Sequence, residues 1–451
     1  MLSLLIIPLM FMIVLPWIPQ PWQRYSFVSM ALAEGMVAWM GLTPGQFIEV
    51  KWWSTLGLNW SLGVTRYNEP LLWLNGVVLL STAWAQPLIS KESLFWLSLA
   101  DIGVTLAFLS QNLLGYFLGF EMAVLPFFLW VRKEGGIERR VAAFYYLGFS
   151  AVAGMFLLAA ILVMVVHHVI GFSAAPLPRS LQVMVYGLLL VTWAIKTPLW
   201  PFHLWLPRTH GQASTAASMY LSGVALKVAP YGLLLFSQLM PQIVHHIAPW
   251  LALWGAISLL IGSLLALAQR DLKQTIALSS IASMGYVLIA LSWGTVWGNQ
   301  IAILVMIGHG LASPLLFWVS GRIERALGSR NLDDLVGFYQ QDPVLTIWLT
   351  LAAFTYMGIP GLALFPGEFG VVTVAMQHDR HLLYLIAPAI LTMTATWLRI
   401  LARARFGPVQ PPTPSKASPS VRWGGFWLGV PLLLVGLIPG LWIHLWQWGG
   451  R

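Results

Sequence analysis

Uncharged apolar stretches dominate this chain, and they are too long for a water-soluble fold. Residues 1–23, 70–90, 102–120, 141–178, 228–269, 274–321 and 423–450 contain no Asp, Glu, Lys or Arg. Several exceed the ~20 apolar residues that cross a bilayer. Only 9% of the 451 residues are charged and 58% are hydrophobic, against roughly one-quarter charged in soluble domains. A soluble enzyme, a nucleic-acid binder and a disordered chain are excluded at this level. Backbone polar groups in lipid must be satisfied within their own segment, so spans of this length are helices. The expected fold is an all-α, polytopic membrane protein with about fourteen transmembrane helices. These fall near 2–18, 27–43, 69–87, 93–110, 112–131, 142–168, 180–197, 214–237, 247–268, 274–293, 299–319, 343–371, 381–402 and 424–447. The second is interrupted by Glu34, and the twelfth carries Pro360 and Pro366 and is expected to bend or break.

The apolar N-terminus, Met1 to Pro19, lacks a basic flank and reads as a retained helix. There is no cysteine, which removes disulfides, thiolate zinc and iron–sulfur ligation. The formal charge is +9. Loops that follow odd-numbered spans carry most of it: Arg24, Lys91, Arg132, Lys133, Arg139, Arg140, Arg208, Arg270, Lys273, Arg322, Arg325, Arg330, Arg403, Arg405, Lys416 and Arg422. The alternate loops carry only Lys51, Arg66, Arg179 and Arg380. The positive-inside rule then predicts cytoplasmic odd-to-even loops in an inner (plasma) membrane, with both termini on the periplasmic face.

Ionisable groups within a span cost at least ~2.5–3.5 kcal/mol at the bilayer centre and mark a pathway by default. Here they are Asp101, Glu121, Lys196, Lys227, His309, Glu368 and Arg399. Lys196 stands in W-A-I-K-T-P-L-W-P, where Pro198 cannot donate to the carbonyl of Ala194. The helix is expected to break there, and the freed carbonyls favour a cation beside them. Pro360-Gly361 and Pro366-Gly367 loosen the backbone just before Glu368. A proline-broken span with a buried charge in each half is the pattern of a transporter built from repeated units. The expected organisation is N-terminal helices over 1–92, a first repeat over 93–240, a second over 241–407, a Pro/Ser-rich linker at 408–422 and a terminal helix over 423–451. The two five-helix repeats are expected to be inverted. Asp101 and Arg399 lean towards structural roles, and the pairs His167–His168 and His245–His246 fall at wet span ends.

At these residues the chain resembles a known family. K-T-P-L-W-P-F-H-L-W-L-P-R-T-H-G-Q-A-S-T-A-A-S (196–218) and L-S-G-V-A-L-K-V-A-P-Y-G (221–232) are similar to the signature of the antiporter-like, proton-conducting membrane subunits of respiratory complex I. That family is shared with Mrp cation/proton antiporters and membrane-bound hydrogenases. G-F-E-M-A-V-L-P (119–126), S-S-I-A-S-M-G-Y-V-L (279–288), H-G-L-A-S-P-L-L-F (309–317) and G-I-P-G with F-P-G-E-F (358–369) follow in the family's order. Glutamate in the G-E-F setting is similar to the chain M (subunit 4) branch of NADH:quinone oxidoreductase.

The resemblance implies roles. Glu121 pairs with Lys196, Lys227 connects towards the centre, His309 belongs to a central polar axis, and Glu368 is the terminal exchange site. His203, His210, Ser283 and Asp101 are secondary candidates. Protons would pass along this chain of groups, driven by redox chemistry in partner subunits. With no nucleotide fingerprint in the sequence, the chain is expected to bind no cofactor itself. NADH, FMN, iron–sulfur clusters and quinone would then sit in partner subunits. The expected partners are antiporter-like membrane neighbours, lipid and protons, not nucleic acid. Three departures stand out: Ser283 replaces the usual histidine, P-R-T-H (207–210) replaces P-D-A-H, and T-R-Y-N (65–68) replaces D-G-L/I-S. They leave open a cation/proton antiporter or an inorganic-carbon (CO2/bicarbonate) uptake complex of the same fold. A haem carrier would need two histidines facing across helices, with only His203, His210 and His309 to choose from.

Overall fold

A computed structural model describes residues 1–53, 58–85, 90–172, 177–407 and 423–440. The expected linker at 408–422 lies outside them. The helices in chain order are α1 (Leu2–Val14), α2 (Gln20–Met40), α3 (Glu69–Thr82), α4 (Lys91–Leu109), α5 (Leu113–Met122), α6 (Val124–Glu134), α7 (Arg139–Val166), α8 (Arg179–Lys196), α9 (Trp205–Gln212), α10 (Thr215–Gly223), α11 (Val228–Leu239), α12 (Pro241–Leu267), α13 (Leu272–Leu291), α14 (Val296–Leu327), α15 (Pro343–Tyr356), α16 (Phe365–His378), α17 (Leu383–Arg405) and α18 (Trp423–Leu437). Among the described residues, eight helical stretches are long and apolar enough to cross a membrane. Shorter apolar helices lie at Leu2–Trp17, Pro343–Tyr356 and Gly424–Leu437.

The bundle is ordered by what each helix can bury. α7 is apolar on all sides but splits by exposure. Phe144, Val152, Met155, Leu158, Leu162 and Val166 face outward, while Tyr146, Ser150, Ala153, Gly154 and Leu157 face the protein. Lipid tails solvate the first face as well as protein would, so helix contact there is left to small residues and polar groups. α14 is enclosed along its whole apolar window and packs against α3, α10, α13, α15, α16 and α18. A helix that is apolar all round belongs at such a centre.

Three features depart from the expected plan. Between α2 and α3, where the apolar pattern predicts no element, β1 (Phe47–Trp53) and β2 (Leu58–Gly63) form an antiparallel hairpin with Phe47 opposite Gly63. The eighth span, expected to be continuous over 214–237, is interrupted: α10 stops at Gly223 and a short 3-10 turn, Ala225–Lys227, precedes α11. Pro230 has no N–H for the carbonyl of Leu226, and just upstream the Lys227 N–H bonds the carbonyl of Val224 at 2.8 Å rather than that of Gly223. The same chemistry parts α5 from α6 at Ala123, where Pro126 cannot serve Met122.

Candidate functional site

Lys196 is the last residue of α8. The break predicted from Pro198 is present, and the protein re-satisfies the loosened carbonyls. Leu199 N–H reaches Ala194 at 2.9 Å, and the Trp205 indole donates to Ile195 at 2.7 Å. Lys196 Nζ donates to Ser150 Oγ at 3.0 Å and lies 5.2 Å and 5.1 Å from the ring centres of Phe120 and Tyr146. Those faces are favourable for a desolvated ammonium. Glu121, on α5, acts electrostatically on Lys196. Their charged atoms do not meet within 4.0 Å, since the described ion pairs lie elsewhere. The expected Glu121–Lys196 pair is therefore a longer-range one, with Ser150 and two aromatic rings as the lysine's direct neighbours. A side chain at Gly154 would come within 2.0 Å of Glu121 Oε1, so this glycine clears the carboxylate's position. Oε1 itself has no protein donor.

Past Lys196, a cavity of about 20 Å³ is lined by Phe120, Tyr146, Lys196, Trp205, Ala225 and Val228. It is about one water in size, and it separates the amine from the turn that carries Lys227. Lys227 is fully buried; its Nζ donates to the carbonyl of Ser222 and lies 2.7 Å from His309 Nδ1. His309 sits in the middle of α14, its Nε2 without a protein partner.

The glycines beside it explain how both interrupted spans reach this histidine. A Cβ on Gly308 would lie 2.6 Å from the carbonyl of Ala363, just before α16; one on Gly310 would lie 2.7 Å from the carbonyl of Gly223, at the end of α10. The G-H-G triplet thus places one imidazole where the two broken segments converge.

On the far side, His309 meets the ring of Tyr356 edge-on at 6.1 Å. Tyr356 lies beside Ser280 and Ser313, and neither its hydroxyl nor Ser313 Oγ has a hydrogen-bond partner. The second expected break is also present: α15 ends at Tyr356 and α16 starts at Phe365. Glu368 stands in the first turn of α16, near Tyr286 and Tyr356. Gly358, at φ +67°, would place a Cβ 2.6 Å from Glu368 Oε2. The left-handed backbone and this close approach both demand glycine.

The secondary candidates divide. His210 is buried and stacked on Phe317 at 4.5 Å, with both ring nitrogens unpartnered. It lies near Lys227 and Lys273. His203, in the α8–α9 connection, also has a buried and unpartnered Nδ1. Ser283 donates to the carbonyl of Ser279 at 3.3 Å. Asp101 does not join the others: its partners are Asn75, Thr105 and Tyr220. The sequence reading missed Lys273, which it assigned to a loop. The lysine is 4% exposed and donates to the carbonyl of Ala213 at 2.5 Å. One available signal was its place in the first turn of a helix, where the dipole disfavours a cation. Among the described residues, a cavity of about 1010 Å³ opens beside the hairpin and is lined by none of these groups.

Interrupted helices that end at or open on ionisable groups, joined by a buried Lys–His contact, define a multi-pass membrane protein with a polar axis through its interior. Residues 110–394 match the family described as NADH:quinone oxidoreductase/Mrp antiporter, TM, and the chain belongs to that family. It is 32% identical to NAD(P)H-quinone oxidoreductase chain 4 1 of Synechococcus sp. (strain JA-2-3B'a(2-13)), covering 91% of this chain and 82% of that protein. It is 30% identical to the chloroplastic NAD(P)H-quinone oxidoreductase chain 4 of Chaetosphaeridium globosum, over 88% and 83% of the two chains. In fold it is similar to a chain of respiratory complex I from Thermus thermophilus, with a TM-score of 0.92 at 21% identity, covering 100% of this chain and 98% of that one. A chain of the Mrp complex from Dietzia sp. DQ12-45-1b gives a TM-score of 0.88 at 21% identity and is covered over 51% of its length, against 100% of this one.

Proposed function

We propose that the chain is a proton-translocating membrane subunit of an NAD(P)H:quinone oxidoreductase of the complex I type. Curated relatives named as chain 4 support the assembly. The observation that carries the mechanism is the contact between Lys227 and His309 at the convergence of the two broken spans. Glu121 holds charge on Lys196 across the gap. When that attraction weakens, Lys196 passes its proton through the water-sized space to the turn at Lys227, and His309 takes it across α14. Tyr356 and its hydroxyl neighbours lead towards Glu368, which releases it. The groups act as one coupled titration rather than as separate acids and bases. Redox chemistry, with its nicotinamide, flavin, iron–sulfur and quinone groups, belongs to partner subunits.

The architecture that serves this reading has fourteen crossings and two five-helix repeats of opposite orientation, residues 93–240 and 241–407. At least one broken span lies in each, and both termini lie on the outer face of an inner membrane. Lys196→Ala in the assembled complex tests it: translocation should be abolished while assembly persists, and normal translocation would remove the lysine from the mechanism. The same fold in a Mrp-type cation/proton antiporter or an inorganic-carbon uptake complex is the second reading, favoured by Ser283 and Arg208 in place of the expected histidine and acid. Copurification separates them, since the first reading requires peripheral dehydrogenase and quinone-site subunits to travel with this chain.

A further inference from the structure

Glu34 and Asp101 stand apart from this axis, and both fall outside the residues 110–394 that match the family. They are 2% and 0% exposed. α2 meets α3 backbone to backbone at two glycines, where a Cβ on Gly76 would lie 2.8 Å from the Cα of Gly35. Their neighbours Glu34 and Asn75 are thereby carried towards α4. Asn75 Nδ2 donates to Asp101 Oδ1 at 2.6 Å, and the Tyr220 hydroxyl of α10 donates to the same oxygen at 3.1 Å. Thr105 reaches it at 3.4 Å. The carboxyls of Glu34 and Asp101 lie within hydrogen-bonding reach of each other. Glu34 Oε1 and Asp101 Oδ2 have no donor from the protein.

The groups that face the pair are Asn75 from α3, Thr105 from α4 and Tyr220 from α10, and α2 contributes Glu34 itself. Among the described residues, no lysine, arginine or histidine acts on either carboxyl. Two adjacent carboxylates without a cation repel strongly when buried, so one proton held between them is the stable arrangement. A metal ion would draw carbonyl and hydroxyl oxygens inward. Here Asn75 turns its amide N–H towards Asp101, and its carbonyl accepts from Tyr220 at 2.9 Å.

We propose that Glu34 and Asp101 form a second proton-binding site, one proton bridging two carboxyls, built between α2 and α4 and separate from the lysine axis. The site does not depend on the transport reading.

Infrared spectroscopy of the full chain in lipid nanodiscs tests it. At neutral pH, wild type minus Glu34→Gln/Asp101→Asn should show the C=O stretch of a protonated carboxyl, displaced in D2O. Glu34→Gln alone should lose this band, because the new amide donates to Asp101 and leaves it ionised. Asp101→Asn alone should keep a shifted band, because Glu34 is then an isolated buried acid. The two single variants retain the test if the double variant fails to fold. Identical spectra for wild type and both single variants would overturn the proposal. Loss of the band when Na+ replaces K+ would also overturn it, by making the ligand a metal cation.

Discussion

The contact between Lys227 and His309 can be measured through its own removal. Lys227 Nζ has two partners, the Ser222 carbonyl and His309 Nδ1 at 2.7 Å, and no solvent exposure. A hydrogen bond to a charged group contributes ~1.5–3 kcal/mol, and each ~1.4 kcal/mol is tenfold in rate. If this contact carries the central transfer, His309→Leu should slow redox-driven proton translocation roughly 10- to 150-fold. Lys227→Met should act over the same range. Both remove one interaction, so the double variant should be no slower than the slower single, giving a coupling of about 1.5–3 kcal/mol. The assay is acidification of inverted vesicles by the assembled complex, with the uncoupled quinone-reductase rate and native-gel assembly as controls. Independent sites would multiply their effects, to roughly 100-fold or far beyond. That multiplication, with assembly intact, would refute the direct hand-over between lysine and imidazole.

Gly358→Ala should cost ~1–2 kcal/mol for a side chain at φ +67° and displace Glu368 besides. The expected result is a several-fold loss of translocation with quinone reduction retained under uncoupler. Trp205→Phe removes the donor to the Ile195 carbonyl at 2.7 Å and should lower the thermal midpoint by the equivalent of about 1 kcal/mol, read by differential scanning of the purified complex. The chain contains no cysteine, so Gln46→Cys and Ile137→Cys each supply a single reporter. A membrane-impermeant maleimide should label Gln46→Cys only from outside and Ile137→Cys only from the cytoplasm, and the reverse pattern would invert the proposed topology.

The two proline-broken spans were legible because proline's missing N–H acts locally, whatever the surroundings. The long apolar runs announced the helices for the same reason. The interruption at Lys227 was harder to see. Its cause, Pro230, stands three residues downstream in an otherwise strongly apolar run, and the chain absorbs it in a single turn. Lys273 was misread because a lysine after Arg270 and Asp271 looks like loop charge. Only the fold reveals that Ala213 lies within reach of it. The roles of Ser150, Gly154 and Tyr356 depend on contacts between distant parts of the chain, and periodicity carries no trace of those. Glu34 was visible as an interruption, but its partner, Asp101, lies two helices away.

The glycines on either side of His309 bear on how such a protein moves. Backbone at the end of α10 and just before α16 lies against the same turn of α14, at separations that no side chain could enter. Sliding α14 past either segment would tear that seam open, so on the proposed function the three segments move together there. On the proposed function, traffic across the middle would then rest on short swings of lysine and imidazole and on water coming and going at that seam.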